Sequence, residues 1–208
     1  MRLDWNVILA SILLLAGATP LMAQSGSFSE EFENGTGSWS ISGGSAGVTW
    51  ATDGTPSTVA GGAAYAGSSS LNYNNGTDYE GTSLGIAASP VITVASSGSP
   101  TLTFYCNFET ESDDATYGYD NRQITITPGT GTPIIDLLGV TNAGTTVGPC
   151  QGMGTWHQHT IQLDPSWGTV QVEFTFDTVD SLLNNYAGWF IDSFSVSGSS
   201  TTGGGGST

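Results

Sequence analysis

Three acidic side chains near the two ends of the sequence have the type and spacing to bind a hard metal ion. Glu31 and Glu33 alternate with the apolar Phe28 and Phe32, so they are predicted to face outward on a first strand. Asp192 is predicted on the last strand, and the first and last strands of an antiparallel β domain are commonly neighbours. Converging carboxylates suit Ca²⁺, which takes oxygen ligands; the alternative is solvated acids without a cation. Two second-choice ligands flank the preceding corner: Asp177 and Asp180.

A second candidate for metal chemistry is the pair His157 and His159. Residues two apart on a strand share a face, and two imidazoles on one face can bind Zn²⁺ or Cu²⁺. Ile161 and Leu163 continue the same parity, so the histidines are predicted to point inward near the end of a sheet. The alternative is a pair of polar residues where the strand begins, because no third ligand is evident.

Two clusters that mix tyrosine with Asn and Asp favour sugar binding. Aromatic rings stack on the apolar faces of sugars, while amides and carboxylates bind hydroxyl groups. The same residues are equally common as decoration of β-loops. The candidate ligand-binding residues are Asn72, Tyr73, Asn74, Asp78 and Tyr79 in the first cluster and Tyr117 and Tyr119 in the second.

The lack of recognisable catalytic motifs in the sequence favours a binding protein over an enzyme. The sequence has no Gly-x-Ser-x-Gly elbow, no His-Glu-x-x-His and no phosphate-binding loop. Paired carboxylates could hydrolyse a glycoside, but no pair is marked out among the many acids. A lyase acting on anionic polysaccharide would need Arg or Lys, and only Arg122 is available outside the first residues. A jelly-roll hydrolase or lyase is therefore the least favoured alternative.

The charge of the chain is strongly one-sided. The formal net charge is −16, and there is no lysine. Such a field repels phosphate backbones and anionic membrane surfaces, so nucleic-acid partners and strongly anionic polysaccharides are disfavoured. Cations are favoured, and bound Ca²⁺ would relieve the self-repulsion of the folded chain.

The N-terminal segment predicts export. An apolar run over 7–18 is followed by a small-residue exit ending at Ala23, the pattern of a signal peptide over residues 1–23. The run is too short to span a bilayer at about 20 residues per helix. Residues 24–198 are predicted to form one domain. Residues 199–208 are predicted to form a Gly/Ser/Thr-rich flexible tail or linker. The protein is expected to be secreted or displayed at the cell surface, without membrane insertion of the domain.

The two cysteines are predicted to pair. Cys106 and Cys150 are an even number in an exported chain, which favours a disulfide over two free buried thiols. The loop it closes would contribute about 4 kcal/mol in the chain-entropy model.

Alternating apolar and polar residues predict about eleven short antiparallel strands and no sustained helical period. The strongest strand, over 169–177, places Val170, Val172, Phe174 and Phe176 on one face. Strands with one wet face pack as two sheets, so the fold class is an all-β, two-sheet antiparallel jelly-roll sandwich. Residues 60–70 are small and predict a flexible loop.

The last predicted strand contains a change of parity. Trp189 and Ile191 share one parity, and Phe194 and Val196 share the other. Burying all four on one face requires an extra residue, which predicts a β-bulge around Asp192. The alternative is a central strand that is buried on both faces.

The order of these segments resembles bacterial secreted MAM-like jelly rolls. These include the choice-of-anchor J domains and modules of immune-inhibitor-A-type peptidases. The resemblance rests on Phe28 to Trp39 at the start, Ser70 to Phe104 in the middle, and Val172 to Val196 at the end. It implies a jelly roll with a structural cation near the first and last strands. Ser193 stands where a second Asp is usual in the family.

Together these patterns predict an extracellular binding, adhesion or surface-assembly module, stabilised by calcium. Its expected partner is an extracellular protein or a glycan, and homo-assembly is an open possibility. A carbohydrate-binding module is the main alternative, and the fold is appended to too many functions to decide between them.

Overall fold

The computed structural model describes residues 26–45, 47–112, 118–139, 146–148, 150 and 152–200. Within these residues the chain forms twelve β-strands and one 3-10 turn at Pro165–Trp167. The strands are β1 (Gly26–Glu30), β2 (Ser40–Gly43), β3 (Thr49–Asp53), β4 (Ser70–Asn74), β5 (Leu84–Ala88), β6 (Ile92–Val94), β7 (Thr101–Glu109), β8 (Asn121–Pro128), β9 (Ile134–Leu137), β10 (His157–Gln162), β11 (Thr169–Asp177) and β12 (Gly188–Ser200).

The strands pack as two antiparallel sheets, which confirms the predicted fold class. The front sheet has the order β3, β4, β12, β7, β10, and β1 joins it beside the second half of β12. The back sheet has the order β2, β5, β11, β8, β9, and β6 continues β5 along β11. At one edge β6 also pairs with the end of β12, so the two sheets are joined there.

The core lies between the sheets and is rich in aromatic rings. Phe174 of β11 is its centre: its ring stacks on Trp39 and meets Phe104 and Trp189 edge-on at 5.2 and 5.5 Å between centroids. The predicted alternation of β11 holds, because all four inward residues have no exposed surface. Such rings bury a large apolar area, which is the main force holding the two sheets together.

The first and last strands are neighbours, as the sequence predicts. Glu30 of β1 pairs with Phe194 of β12, which brings the residues after β1 beside Ser193. Two boundaries differ from the prediction. The run over 84–94 divides into β5 and β6 at Pro90, which has no N–H for the ladder. Strand β12 extends to Ser200, through its pairing with β6, so the strand passes the predicted domain end at 198.

The predicted β-bulge is present in β12. Its register to β7 shifts between Asp192 and Ser195, and Ser193 has a φ of 47°. Trp189 and Phe194 therefore both reach the core, while Asp192 points to the outer face of the front sheet. The alternative, a strand buried on both faces, also holds in part, because Phe190 and Asp192 on the outer face are fully buried. The segment between β3 and β4 covers them.

The predicted disulfide is formed between Cys106 and Cys150, which are 44 residues apart. It connects β7 to the segment before β10. The predicted signal peptide over 1–23 lies outside the described residues, as does the tail after Ser200. Within the described part of the chain, no helix is long and apolar enough to span a membrane.

Candidate functional site

The loop between β3 and β4, residues 54–69, lies across the outer face of the front sheet. Buried amides on that face hold its backbone: Asn107 Nδ2 donates to the carbonyls of Ala60 (2.9 Å) and Gly62 (3.3 Å), and Asn74 Nδ2 donates to Thr55 (3.1 Å). The loop predicted over 60–70 is present, except that Ser70 is the first residue of β4. Its hydrogen bonds to the sheet show that it is tied down along its length.

Two carboxylates complete the attachment of the β3–β4 loop. Asp192 Oδ2 accepts the N–H groups of Tyr65 (2.8 Å) and Ala66 (3.1 Å). Glu33 Oε1 accepts the N–H groups of Ser68 (2.9 Å) and Ser69 (3.0 Å). These N–H donors hold the pKa of Glu33 below its usual range. Two of the three residues predicted as the main metal ligands, Asp192 and Glu33, therefore act here as acceptors for backbone N–H groups.

The positions of the three predicted calcium ligands can be compared with what a Ca²⁺ site requires. Glu31 lies next to Asp192, and its Oε2 accepts the Ser193 hydroxyl at 2.7 Å. Within the described residues, however, the three acids do not form a group whose oxygens all lie within 4.8 Å of one another. Both lone pairs of Asp192 Oδ2 are already used by N–H groups. Calcium binding would require some of these contacts to be exchanged for the ion, and it stays a prediction.

An aromatic platform lies at the tip of the β3–β4 loop, formed by Tyr65, Tyr105 and Trp156. Tyr65 stacks on Tyr105 with 3.6 Å between ring centroids and 15° between planes. Trp156 meets Tyr65 edge-on at 6.0 Å, and its Nε1 donates to Gly61 O at 3.1 Å. Tyr65 is 46% exposed, so one large ring is presented to solvent on a fixed support.

The position of the platform follows from the register of the front sheet. Asp192 of β12 pairs with Tyr105 of β7, and Tyr105 pairs with Gln158 of β10. Cross-strand partners on one face lie about 5 Å apart. Asp192 therefore holds the Tyr65 backbone while the adjacent Tyr105 holds its ring, and the exposed Gln158 adds a polar edge.

Beneath the platform is a small apolar cluster that is separate from the main core. Phe190 of β12 is fully buried there, with Val59 and Ala63 of the loop, Ala187, and the partly buried Trp156 against it. This cluster explains why the outer face of β12 is apolar at Phe190. It also makes the loop part of the folded domain rather than an appendage.

Four of the residues predicted to bind a ligand are buried, and that prediction was wrong for them. Asn72, Tyr73 and Tyr79 have no exposed surface, and Asn74 is 3% exposed. Asn72 Nδ2 donates to Asp53 at the end of β3, and Asn74 Nδ2 donates to Thr55 of the β3–β4 loop. The Tyr73 hydroxyl bonds Ser83, and the Tyr79 hydroxyl donates to Asp120 Oδ2 at 2.6 Å. The polar groups at these positions bond buried partners. The prediction of a ligand site assumed that they are exposed.

The other predicted ligand-binding residues lie in loops. Asp78 is half-buried and closes a turn by accepting Asn75 Nδ2 at 3.2 Å. Tyr119 is 40% exposed and stays a candidate. Tyr117 lies outside the described residues.

The two histidines point inward, as predicted from their parity. His159 is buried between Phe104 and the disulfide, with Nε2 at 3.3 Å from Cys106 Sγ and 3.4 Å from Cys150 Sγ. Burial lowers the pKa of His159 to about 4, so the ring is neutral at pH 7. The oxidised sulfurs are not thiolates, and so they are not the ligands that a metal of this type prefers.

Asp177 and Asp180 lie at a different place, in and after the end of β11. Asp177 Oδ1 accepts Val179 N at 2.9 Å, and Asp180 Oδ1 accepts Leu182 N at 2.8 Å. They shape the loop from β11 to β12 (residues 178–187). An open depression of about 290 Å³ lies beside them, lined by Glu80, Gly81, Ser181, Leu183, Asn184 and Asn185.

Sequence reasoning missed the three residues of the platform. Tyr65 stands in a run of small residues that predicts only a loop, and nothing in the pattern around Trp156 distinguishes it from a core tryptophan. The signal for Tyr105 was available: Phe104 and Cys106 face inward, so an aromatic residue between them must face outward. That these residues meet depends on contacts between positions 40 or more apart, which the local pattern does not specify.

No protein-family model and no curated protein sequence matches this chain. Solved structures with a similar fold include TmCBM61 in complex with β-1,4-galactotriose, which is 14% identical, with 80% of this chain and 89% of that chain covered and a TM-score of 0.50. They also include the K1 cleaved adhesin domain of Lys-gingipain from Porphyromonas gingivalis W83, at 19% identity, 82% and 97% coverage and a TM-score of 0.50. At these identities the similarity establishes the jelly-roll fold.

Proposed function

We propose that this chain is an extracellular binding module whose aromatic platform holds a neutral glycan. The observation that carries the proposal is the Tyr65 ring, stacked at 3.6 Å on Tyr105 and still 46% exposed. A fixed ring costs little conformational entropy when a ligand binds, because its order is already established. The flat apolar faces of pyranose rings match such a surface.

The polar groups around the platform support a sugar ligand. Gln158 and Ser193 lie on the same outer face and can exchange hydrogen bonds with hydroxyl groups. TmCBM61, which shares the fold, holds β-1,4-galactotriose in its solved structure. The net charge of −16 favours a neutral glycan over uronic-acid or sulfated polymers.

The roles of the nearby carboxylates support binding without catalysis. Asp192 and Glu33 are the acids that attach the β3–β4 loop to the sheet, and each accepts two backbone N–H groups of the loop through one oxygen. Acids fixed in this way stabilise the loop, whereas glycoside hydrolysis needs one carboxyl to deliver a proton and another to attack or activate water. Turnover of any bound polysaccharide would contradict this part of the proposal.

The same proposal includes three further expectations from the sequence. They are membership of the MAM-like group, export through the N-terminal leader, and stabilisation by calcium. Homo-assembly is the alternative, and a concentration-dependent dimer in sedimentation velocity would indicate it.

The test is retardation of the domain in native gels containing β-1,4-galactan, xylan, mixed-linkage glucan or polygalacturonate. We expect at least one neutral polymer to retard the protein and polygalacturonate to have no effect. Tyr65→Ala should weaken binding at least tenfold, which is about 1.4 kcal/mol.

Tyr119→Ala is the matched control, because Tyr119 is a tyrosine of similar exposure that the sequence also nominates. It should bind as the wild type does. Loss of binding in Tyr119→Ala with retention in Tyr65→Ala would transfer the site to the Tyr119 loop. Absence of binding to every neutral polymer would refute the proposed ligand class.

A further inference from the structure

The loop between β11 and β12 carries three large apolar side chains in solvent. Val179, Leu182 and Leu183 are 45%, 66% and 60% exposed. Single exposed apolar residues need no explanation, but a group of them on one short loop is typical of an interaction surface. We call these three residues the end patch; it belongs to a different part of the surface from the aromatic platform.

The backbone of this loop is held firmly, so the exposure is not the result of a loose segment. Thr178 N donates to Ser83 O at 3.0 Å, and Ser83 N donates to Thr178 Oγ1 at 2.8 Å. Asn184 Nδ2 donates to the carbonyls of Gly81 (2.7 Å) and Asp180 (2.8 Å). These bonds fasten the loop to the segment before β5 and fix where its side chains point.

Two residues of the end patch have strained backbones. Val179 has a φ of 67° and Leu183 a φ of 51°. The left-handed region is unfavourable for a bulky residue and most of all for β-branched valine. Strain of this kind persists where the surrounding structure imposes it, and it concentrates at ligand clamps and binding sites.

The depression beside the end patch contains a polar atom without a partner. Asn184, which lines the depression, is 6% exposed, and its Oδ1 is buried with no hydrogen-bond partner. A buried acceptor left without a donor is costly. Glu80 lines the same depression and adds a carboxylate. The depression therefore presents one charged acceptor, the Glu80 carboxylate, next to Leu183, and a second, neutral acceptor, Asn184 Oδ1, lies buried beneath the surface.

We propose that the end patch and this depression bind a protein segment in which an arginine is flanked by large apolar residues. The apolar residues would cover Leu182 and Leu183. The guanidinium has five N–H donors in a planar fork, so it can donate to both oxygens of the exposed Glu80 carboxylate. The unpaired Asn184 Oδ1 beneath adds negative potential at the same place. The net charge of −16, with Arg122 buried among the described residues, favours a basic partner.

This inference is independent of the proposed glycan site, since it concerns different residues and a different chemical class. It assigns the domain a second contact, to protein. A basic partner also distinguishes this surface from one for a second copy of the chain, which would bring together two surfaces of like charge.

The probes are three synthetic dodecapeptides measured by fluorescence polarisation at 0.15 M salt. One alternates leucine and arginine, one replaces each arginine with the isosteric, uncharged citrulline, and one replaces each leucine with glycine. We expect the Leu/Arg peptide to bind at least tenfold more tightly than either of the others. Equal binding of the Leu/Arg and Gly/Arg peptides would mean unspecific charge attraction and would overturn the proposal.

Two variants locate the site. The double substitution Leu182→Ser with Leu183→Ser should weaken binding of the Leu/Arg peptide at least tenfold, and Glu80→Gln should reduce the preference over citrulline. The matched control is Val91→Ser with Ile135→Ser, which removes apolar residues of 65% and 60% exposure elsewhere. That control should bind as the wild type does.

Three further outcomes would overturn the inference. One is equal loss of peptide binding in both double variants. Another is a concentration-dependent dimer in sedimentation velocity that the Leu182/Leu183 variant abolishes, since a second copy would then be the occupant. A third is loss of glycan binding in that variant. Retained glycan binding with lost peptide binding would support two separate sites.

Discussion

Two buried ionisable side chains affect stability over the same pH range in opposite directions. Burial raises the pKa of Asp120 to about 6, against about 3.9 in an unfolded chain. The folded state therefore holds a proton that the unfolded state loses, so this stabilisation is present below pH 4 and is lost as the pH rises to 6. Burial lowers the pKa of His159 to about 4 from about 6.5. Its contribution is present above pH 6.5 and is lost as the pH falls toward 4.

We predict that single substitutions separate these opposing effects. In Asp120→Asn the His159 effect is left uncompensated, so the free energy of unfolding should rise between pH 4 and 6 by up to ~3 kcal/mol more than in the wild type. In His159→Gln it should fall more steeply over the same range. Urea denaturation at several pH values measures both slopes. Identical slopes in all three proteins would contradict the assignment, whatever their absolute stabilities.

At the scale of elements, the β3–β4 loop is the feature on which the aromatic platform depends. Asp192 accepts three N–H groups, those of Tyr65 and Ala66 at Oδ2 and that of Ser193 at Oδ1. Asp192→Asn removes the charge and replaces one oxygen by an NH₂ group, so in either orientation of the amide at least one N–H group faces a donor. Hydrogen bonds to a charged group contribute about 1.5–3 kcal/mol, so local opening of the loop should increase about tenfold or more.

Chymotrypsin, which cleaves after aromatic residues, reports this opening. We expect cleavage after Tyr65 to accelerate about tenfold in Asp192→Asn, in proportion to the population of the open loop. Asp78→Asn, a half-buried turn acid, is the control and should be cleaved at the wild-type rate. An unchanged rate in Asp192→Asn would show that the carboxylate does not hold the loop.

The elements themselves were largely predictable, and their long-range attachments were not. Alternation in β7 and β11 fixes which residues face the core, and the parity change in β12 predicts the bulge after Ile191. The contact of Asp192 with Tyr65 joins positions 127 apart, and an outward carboxylate looks the same in the sequence whether it meets water, a cation or an N–H group. For the same reason the sequence favours Asn72 and Asn74 as ligand-binding residues, although they are buried partners of Asp53 and Thr55.

At the scale of the whole molecule, charge and disulfide act in different directions. The net charge is −16, and the one arginine among the described residues, Arg122, is buried with its guanidinium 3.9 Å from the Phe108 ring centroid. The surface therefore repels polyanions and repels itself. The Cys106–Cys150 bond counters this by restricting the unfolded chain. Both surfaces proposed for ligands, the aromatic platform and the end patch, are consistent with neutral or basic partners.

Bound calcium would reduce the self-repulsion of the molecule, and its effect on the stability of the whole fold can be measured. A ligand that binds only the folded state adds about 2.7 kcal/mol at 100 times its Kd. For a domain of this size the melting temperature should rise by about 5–10 °C, taking about 2–4 °C per kcal/mol. Mg²⁺ at equal ionic strength is the control for screening, because it is smaller, requires octahedral geometry and should substitute poorly.

The variant that tests the site is Glu31→Gln, since Glu31 follows β1 directly, is exposed, and accepts a single hydrogen bond from Ser193. It should remove most of the calcium-specific rise without opening the β3–β4 loop, and Asp78→Asn should keep the full rise. Loss of the rise in both variants would indicate that calcium acts through overall charge. Equal melting temperatures in EDTA, Mg²⁺ and Ca²⁺ would show that Glu31, Glu33 and Asp192 act through their hydrogen bonds alone, as acceptors that fasten the outer loop to the sheet.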